Sequence, residues 1–176
     1  MTTDALVRLL QLHVADDARE EADRCAMLRL AQELAEPLSR RESSAHFTAS
    51  AFVIDEQGNR ACLVAHVKLG RLLQPGGHIE DDDESLEAAA LREAREETAL
   101  ELELHPTAPR PFDLDIHEIP EQPGEPAHWH LDVRYLLIGV GDPCAGADWY
   151  PLGEAGDESV DRLAAKALRL GSPAAG

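Results

Sequence analysis

The sequence predicts an α/β or α+β fold, and three observations carry that. Apolar residues recur at helical spacing through residues 4–36. Strand-like and helical stretches then alternate through the middle of the chain, and a last helical stretch closes it. At 176 residues the chain is long enough to bury a real core as one domain with a small appendage.

The elements follow in order. Leu6, Leu9, Leu10 and Val14 repeat every three or four residues and predict a first helix. Asp16 and Asp17 interrupt the pattern and can cap a second helix, with Ala22, Cys25, Leu28, Leu30, Ala31 and Leu34 as its apolar face and Pro37 as its stop. Residues 39–44 are polar and read as a linker. Residues 47–54 and 61–67 read as two strands joined by a turn-rich 55–59, hence a hairpin. Gly70 and Pro75-Gly76-Gly77 mark a loop, followed by an acidic run and a long helix through Glu97. Two more strands are expected around 112–119 and 128–138, then a helix at 159–170 and a frayed tail at 171–176. There are no internal repeats.

Composition excludes several function classes. A formal charge of −18 repels a phosphate backbone, which argues against non-specific DNA or RNA binding and against an anionic membrane surface. A carboxylate surplus suits divalent cations, and a phosphorylated ligand would need one to offset the repulsion. Cys25, Cys62 and Cys144 are odd in number, widely spaced and without a CxxC, so neither a disulfide framework nor a zinc motif is predicted. The N-terminus lacks the basic-then-apolar pattern of a signal peptide, and no apolar run approaches the roughly 20 residues that span a bilayer. The expectation is a cytoplasmic protein.

The segment from Gly76 to Leu100 carries the chemistry. Leu86, Ala89, Ala90 and Ala94 line one helix face, while Glu93, Glu96 and Glu97 cluster within one turn. Like charges at that spacing weaken a helix, but as hard oxygen ligands they suit Mg²⁺ or Mn²⁺ bridging to substrate phosphates. The double glycine lets the backbone turn tightly and approach the same ion. A merely solvated acidic face would not need the glycine turn, the Arg92-Glu93 pair and the Glu96-Glu97 doublet together.

That combination resembles the signature of the Nudix hydrolase family. Arg92-Glu93-Ala94-Arg95-Glu96-Glu97 matches its core, and Glu84, with seven residues between it and Arg92, matches its first Glu. Two departures stand out. Six residues rather than five separate Gly77 from Glu84, and Ala99 replaces the family's late Gly. The resemblance implies an α/β/α sandwich with a mixed sheet over residues 45–176, with residues 1–44 as an N-terminal helical extension. It implies Mg²⁺- or Mn²⁺-dependent hydrolysis of a diphosphate linkage in a nucleoside diphosphate derivative or related phosphorylated metabolite, by in-line attack of metal-activated water. Glu93, Glu96 and Glu97 would hold the metal, with a backbone carbonyl of Gly76 or Gly77, and Arg92 would orient Glu84 or Glu96. The base would be a metal-bound Glu or one of Glu118, Glu121, Glu125 and Glu154. Asp148-Trp149-Tyr150-Pro151-Leu152 resembles the usual family ending, and a homodimer is an expectation by family analogy alone.

A second constellation lies in the later strands. Asp113, Asp115 and His117 alternate, as do His128, His130 and Asp132, so each triplet projects to one strand face. If the strands pair through the 120–126 connection, both triplets share a face and bind substrate or a second metal; otherwise they form an ordinary solvent-facing alternation. His78 and His66 could join them, and Arg134 and Tyr135 contact phosphate or base or are simple packing, with packing favoured for Tyr135. Trp129 and Trp149 stack a base or fill the core. Asp81-Asp82-Asp83 lacks a calcium-loop spacing and is expected to be a solvated loop. The alternative to an enzyme is a catalytically silent sensor of a nucleotide metabolite, which the intact Glu93/Glu96/Glu97 set opposes.

Overall fold

The centre of the fold is a pair of parallel strands, β1 (Ala45–Asp55) and β7 (His128–Val140), running side by side from Ala45↔Trp129 to Asp55↔Gly139. β1 is buried along its whole length, so period-two alternation sorts its residues onto two covered faces. Phe47, Ala49, Ala51 and Val53 face one side; His46, Thr48, Ser50, Phe52 and Ile54 face the other. The computed structural model describes residues 1–66, 70–122, 124 and 126–170, so the expectations placed on Val67, Glu125 and residues 171–176 lie outside the described residues.

An eight-stranded mixed sheet grows outward from this pair in the order β3-β2-β1-β7-β5. β2 (Arg60–His66) forms the expected antiparallel hairpin with β1, in the register Val53↔Cys62. β3 (Arg71–Leu73) pairs β2, and β4 (Gly76–His78) pairs β1. The 70–78 stretch is therefore two short strands where the sequence predicts a loop. Three-residue strands show no periodicity, and at Gly76 an added Cβ would sit 2.3 Å from the Ser50 Cβ, so only glycine lets the backbones pair this closely. β5 (Glu101–Leu104) and β8 (Ala147–Pro151) pair β7 and β2, and neither is expected as a strand from the sequence. β6 (Asp113–Ile119) lies antiparallel on β7.

Helices cover both faces. α3 (Leu86–Thr98) lays Leu86, Ala89, Ala90 and Ala94 on the Phe47 side of the sheet, in one apolar cluster with Leu131, Val133 and the buried Tyr135. α1 (Thr3–Leu12) and α2 (Ala18–Glu33) add Leu6, Leu10, Met27 and Ala31 to that same cluster. Burying a Leu, Met or Phe fully contributes roughly 1.5–3 kcal/mol, so these helices are bound by their own apolar side chains. α4 (Glu158–Leu170) packs Val160, Leu163, Ala164 and Ala167 on the opposite face, against Phe52, Ile54 and Leu136. The result is the expected α/β/α arrangement.

Two details of α2 depart from the sequence reading. It stops at Glu33, four residues before Pro37, and its buried side is Glu20, Met27 and Ala31, with Ala22 and Cys25 exposed. The apolar count missed this because a carboxylate lies on the buried face. Glu20 is held there by Lys166 of α4 at 2.7 Å, His13 at 2.7 Å and the Leu114 amide at 3.1 Å. All three cysteines are unpaired.

Candidate active site

α3 begins where Ser85 caps the Ala88 amide and ends at Ala99, whose φ of 57° gives the left-handed turn that the family's glycine would supply. Its apolar stripe fixes its roll, and that roll turns Glu93 and Glu97 toward β4. Glu97 accepts the Gly76 amide at 3.0 Å. Gly77 runs so close to Glu93 that a Cβ there would lie 2.6 Å from its Oε1. Glu96, a residue away, is exposed.

Arg92 binds this helix to the preceding loop. Its Nε and Nη2 donate to Asp83 at 3.1 and 2.8 Å, its Nη2 to the His78 carbonyl at 2.9 Å and its Nη1 to Glu93 at 2.9 Å; Glu96 lies at 3.6 Å. Two expectations are corrected here. The partner from the acidic run is Asp83, not Glu84, which is exposed. Asp83 is buried rather than solvated, and the Arg92 bonds hold its carboxyl below the usual range. The extra loop residue explains the change: with five residues intervening after Gly77 the next position is Asp83, leaving Glu84 one step out of register.

Burial raises the carboxyls of Glu93 and Glu97 above the ordinary Glu value. Arg92 opposes this at Glu93, Gly76 opposes it at Glu97, and the neighbouring acids add to it at both. Two half-desolvated carboxylates that repel one another, beside a glycine cradle, suit a hard divalent cation.

Beyond Glu97 opens a cavity of about 770 Å³. Its wall is the second face of β1, β6 and β7. The pairs His46↔His130, Thr48↔Asp132 and Ser50↔Arg134 bring β1 to β7, and Asp113↔Arg134, Asp115↔Asp132 and His117↔His130 bring β6 to β7. The two alternating triplets thus share one face, as the conditional expectation required. At the floor, Arg134 is fully buried among carboxylates. It donates to Asp132 at 2.8 Å, Asp115 at 2.7 Å, Asp113 at 3.4 Å and the Ser159 hydroxyl at 2.8 Å. Asp132 also accepts the Thr48 and Ser50 hydroxyls. Burial would raise Asp115, but the His117 bond and the Arg134 and Arg162 charges outweigh it and hold the carboxyl far below its usual value.

Above this floor stand the histidines. His78, His117, His128 and His130 line the cavity, and His66 reaches its edge. His46, which the sequence reading passed over, stacks among them, its ring centroid 5.0–5.1 Å from those of His78, His128 and His130. The polar His46-Thr48-Ser50 alternation along β1 was the signal available for it. Burial and four surrounding imidazoles push His130 down to about 2. Arg71 on β3, also passed over, is an exposed guanidinium at the rim, 3.4 Å from Asp157. Of the carboxylates considered as base, Glu97 and Glu118 line the cavity; the exposed Glu121 and Glu154 do not. Neither tryptophan lines it: Trp129 is exposed and Trp149 packs against the α3-side core.

The NUDIX domain model matches residues 44–170, and the chain belongs to that family of acid-anhydride hydrolases, whose members generally use divalent metals. Among solved structures it is similar to a NUDIX-family hydrolase from Clostridium perfringens, with 26% identity over 71% of this chain and 97% of that one and a TM-score of 0.56. It is also similar in fold to an Ap4A hydrolase from C. elegans, with 17% identity over 70% of this chain and 96% of that one and a TM-score of 0.50. No curated protein sequence matches. No helix among the described residues is long and apolar enough to cross a membrane.

Proposed function

We propose that the chain hydrolyses a diphosphate linkage in a nucleoside diphosphate derivative or related phosphorylated metabolite, with Mg²⁺ or Mn²⁺. The observation that carries this is the seating of Glu93 and Glu97 against the Gly76-Gly77 backbone, with Glu97 opening onto the large cavity. Glu93, Glu96 and Glu97, with the Gly77 backbone, would hold the cation. When bound, it neutralises the diphosphate and acidifies the attacking water.

The chain's own residues supply position. Arg92 holds Glu93 and, through Asp83 and the His78 carbonyl, fixes the loop that carries Gly77. His78, His128 and His130 face the substrate space. Arg134 and Asp132, whose polar atoms bind one another and the strands beside them, hold the floor rigid rather than reaching for phosphate. Arg71 is the guanidinium at the rim exposed enough to meet a phosphate. A base at Glu97 or Glu118 would stand inside the cavity.

The test is a panel of ADP-ribose, sugar nucleotides, dinucleoside polyphosphates and (d)NTPs with Mg²⁺, following phosphate or nucleotide release. Turnover on one class, falling more than about 100-fold in Glu97→Gln, is expected for a removed charge that acts in the transition state. Turnover within a few-fold of wild type in that variant would remove Glu97 from the ligand set. Tight binding of one compound with no turnover on any would replace the enzyme with a sensor.

A further inference from the structure

We propose that His46, His78 and His130 form a second metal site, distinct from the α3 carboxylates, that takes Zn²⁺ or a similar borderline-soft divalent ion. The three imidazoles come from three different strands, β1, β7 and β4. The parallel register sets His46 directly beside His130, and the β4–β1 pairing sets His78 opposite Thr48, diagonal to His46. Each offers a ring nitrogen, and those three atoms lie within 4.8 Å of one another. Zinc–imidazole bonds of about 2.0–2.1 Å place tetrahedral ligand atoms roughly 3.3–3.4 Å apart, so small side-chain rotations close the set.

The surroundings are those of a ligand shell. The Glu42 carbonyl lies 3.1 Å from His46 Nδ1. A carbonyl only accepts, so Nδ1 carries the proton and Nε2 is left as the lone-pair donor. The Pro126 carbonyl does the same for His128 Nδ1 at 2.9 Å, so His128 Nε2, 3.2 Å from His130 Nε2, accepts from and steadies that ring. Three imidazoles with no carboxylate among them select Zn²⁺, Co²⁺, Ni²⁺ or Cu²⁺ over Mg²⁺. His78 and His130 both line the cavity, so the fourth position opens on the substrate space. The two sites are adjacent but separate in chemistry: the His78 carbonyl reaches Arg92, and its ring faces away into the histidine cluster.

The experiment strips the purified chain with a chelator, restores it with Zn²⁺ in excess Mg²⁺, and reads bound zinc by elemental analysis and affinity by competition with a chromophoric chelator. One zinc per chain is expected. Affinity should fall more than about 100-fold in His46→Ala, His78→Ala and His130→Ala, and stay unchanged in Glu97→Gln. Co²⁺ added to the wild-type chain gives an independent readout if a variant fails to fold. A four-coordinate visible spectrum without a thiolate charge-transfer band is expected. Zinc binding that survives the histidine variants, a spectrum like that of hydrated Co²⁺, or a thiolate band from Cys25 overturns the site. Mg²⁺-dependent turnover in a chain that binds no zinc would overturn this site and leave the proposed hydrolase standing.

Discussion

Glu20→Gln tests how α2 is fastened to the catalytic fold. The Glu20 carboxylate is 1% exposed and accepts from His13, Lys166 and the Asp16 amide at 2.7 Å each, and from the Leu114 amide at 3.1 Å. Burial alone would raise its pKa, but the His13 and Lys166 bonds outweigh burial and lower it from 4.5 to about 2. A depressed carboxylate contributes stability above the unfolded value near 4.5 and loses it as pH falls through about 2. At about 1.36 kcal/mol per pH unit, a difference of roughly 2.5 units is worth about 3 kcal/mol. Breaking a buried pair from one side costs a comparable 3–5 kcal/mol or so, because Lys166 is left buried. Glu20→Gln should therefore lower stability by about 3 kcal/mol at pH 7, or roughly 6–12 °C in Tm for a chain of this size. Urea unfolding followed by circular dichroism, from pH 7 down to pH 2, is the assay. The gap between wild type and variant should close through the acid range, and Glu20→Gln/Lys166→Met should recover part of it. A gap under about 1 kcal/mol at pH 7, or one that does not change with pH, refutes the reasoning.

Three further outcomes are expected. Gly77→Ala drives a methyl against the Glu93 carboxylate, so it should fold normally yet lower kcat more than about tenfold and raise the Mg²⁺ requirement; unchanged Mg²⁺ activation curves would contradict the cradle. Ala99→Gly relieves a left-handed residue at the end of α3 and should stabilise by about 1 kcal/mol, read as a Tm rise of roughly 2–4 °C. Arg71→Ala should raise KM about tenfold with a smaller change in kcat, since a rim guanidinium binds ground and transition states alike; steady-state kinetics on whichever substrate the panel yields will show the split.

Much of the site was legible because its spacing is local. Glu93, Glu96 and Glu97 sit within one helical turn, and a period of 3.6 fixes their shared side before any tertiary contact is known. The β6 and β7 triplets were legible for the same reason, since alternation puts Asp113, Asp115 and His117 on one face whatever lies opposite. His46 was not, because its significance depends on β1 pairing in parallel with a strand 84 residues later, in one register out of many. Asp83 was hidden by counting back from Arg92; counting forward from Gly77 reaches it. Glu20 and Lys166 were hidden by the rule that charged residues face water, which fails where a carboxylate and an ammonium meet inside.

The charge of −18 bears on how a diphosphate could bind at all. Arg134 is spent on Asp113, Asp115 and Asp132, Arg162 and Arg19 on Asp115, and Lys166 on Glu20 and Asp113. These cations hold α2, α4, β6 and β7 together and leave little positive charge to face the cavity, where Glu97, Asp115, Asp132 and Asp157 also stand. A diphosphate entering that space meets net repulsion from the protein alone. Arg71, one exposed guanidinium already beside Asp157, offsets only part of it in water of high dielectric. On the proposed function, the favourable charge comes from bound divalent ions, and the carboxylates that create the repulsion are the groups that would hold them.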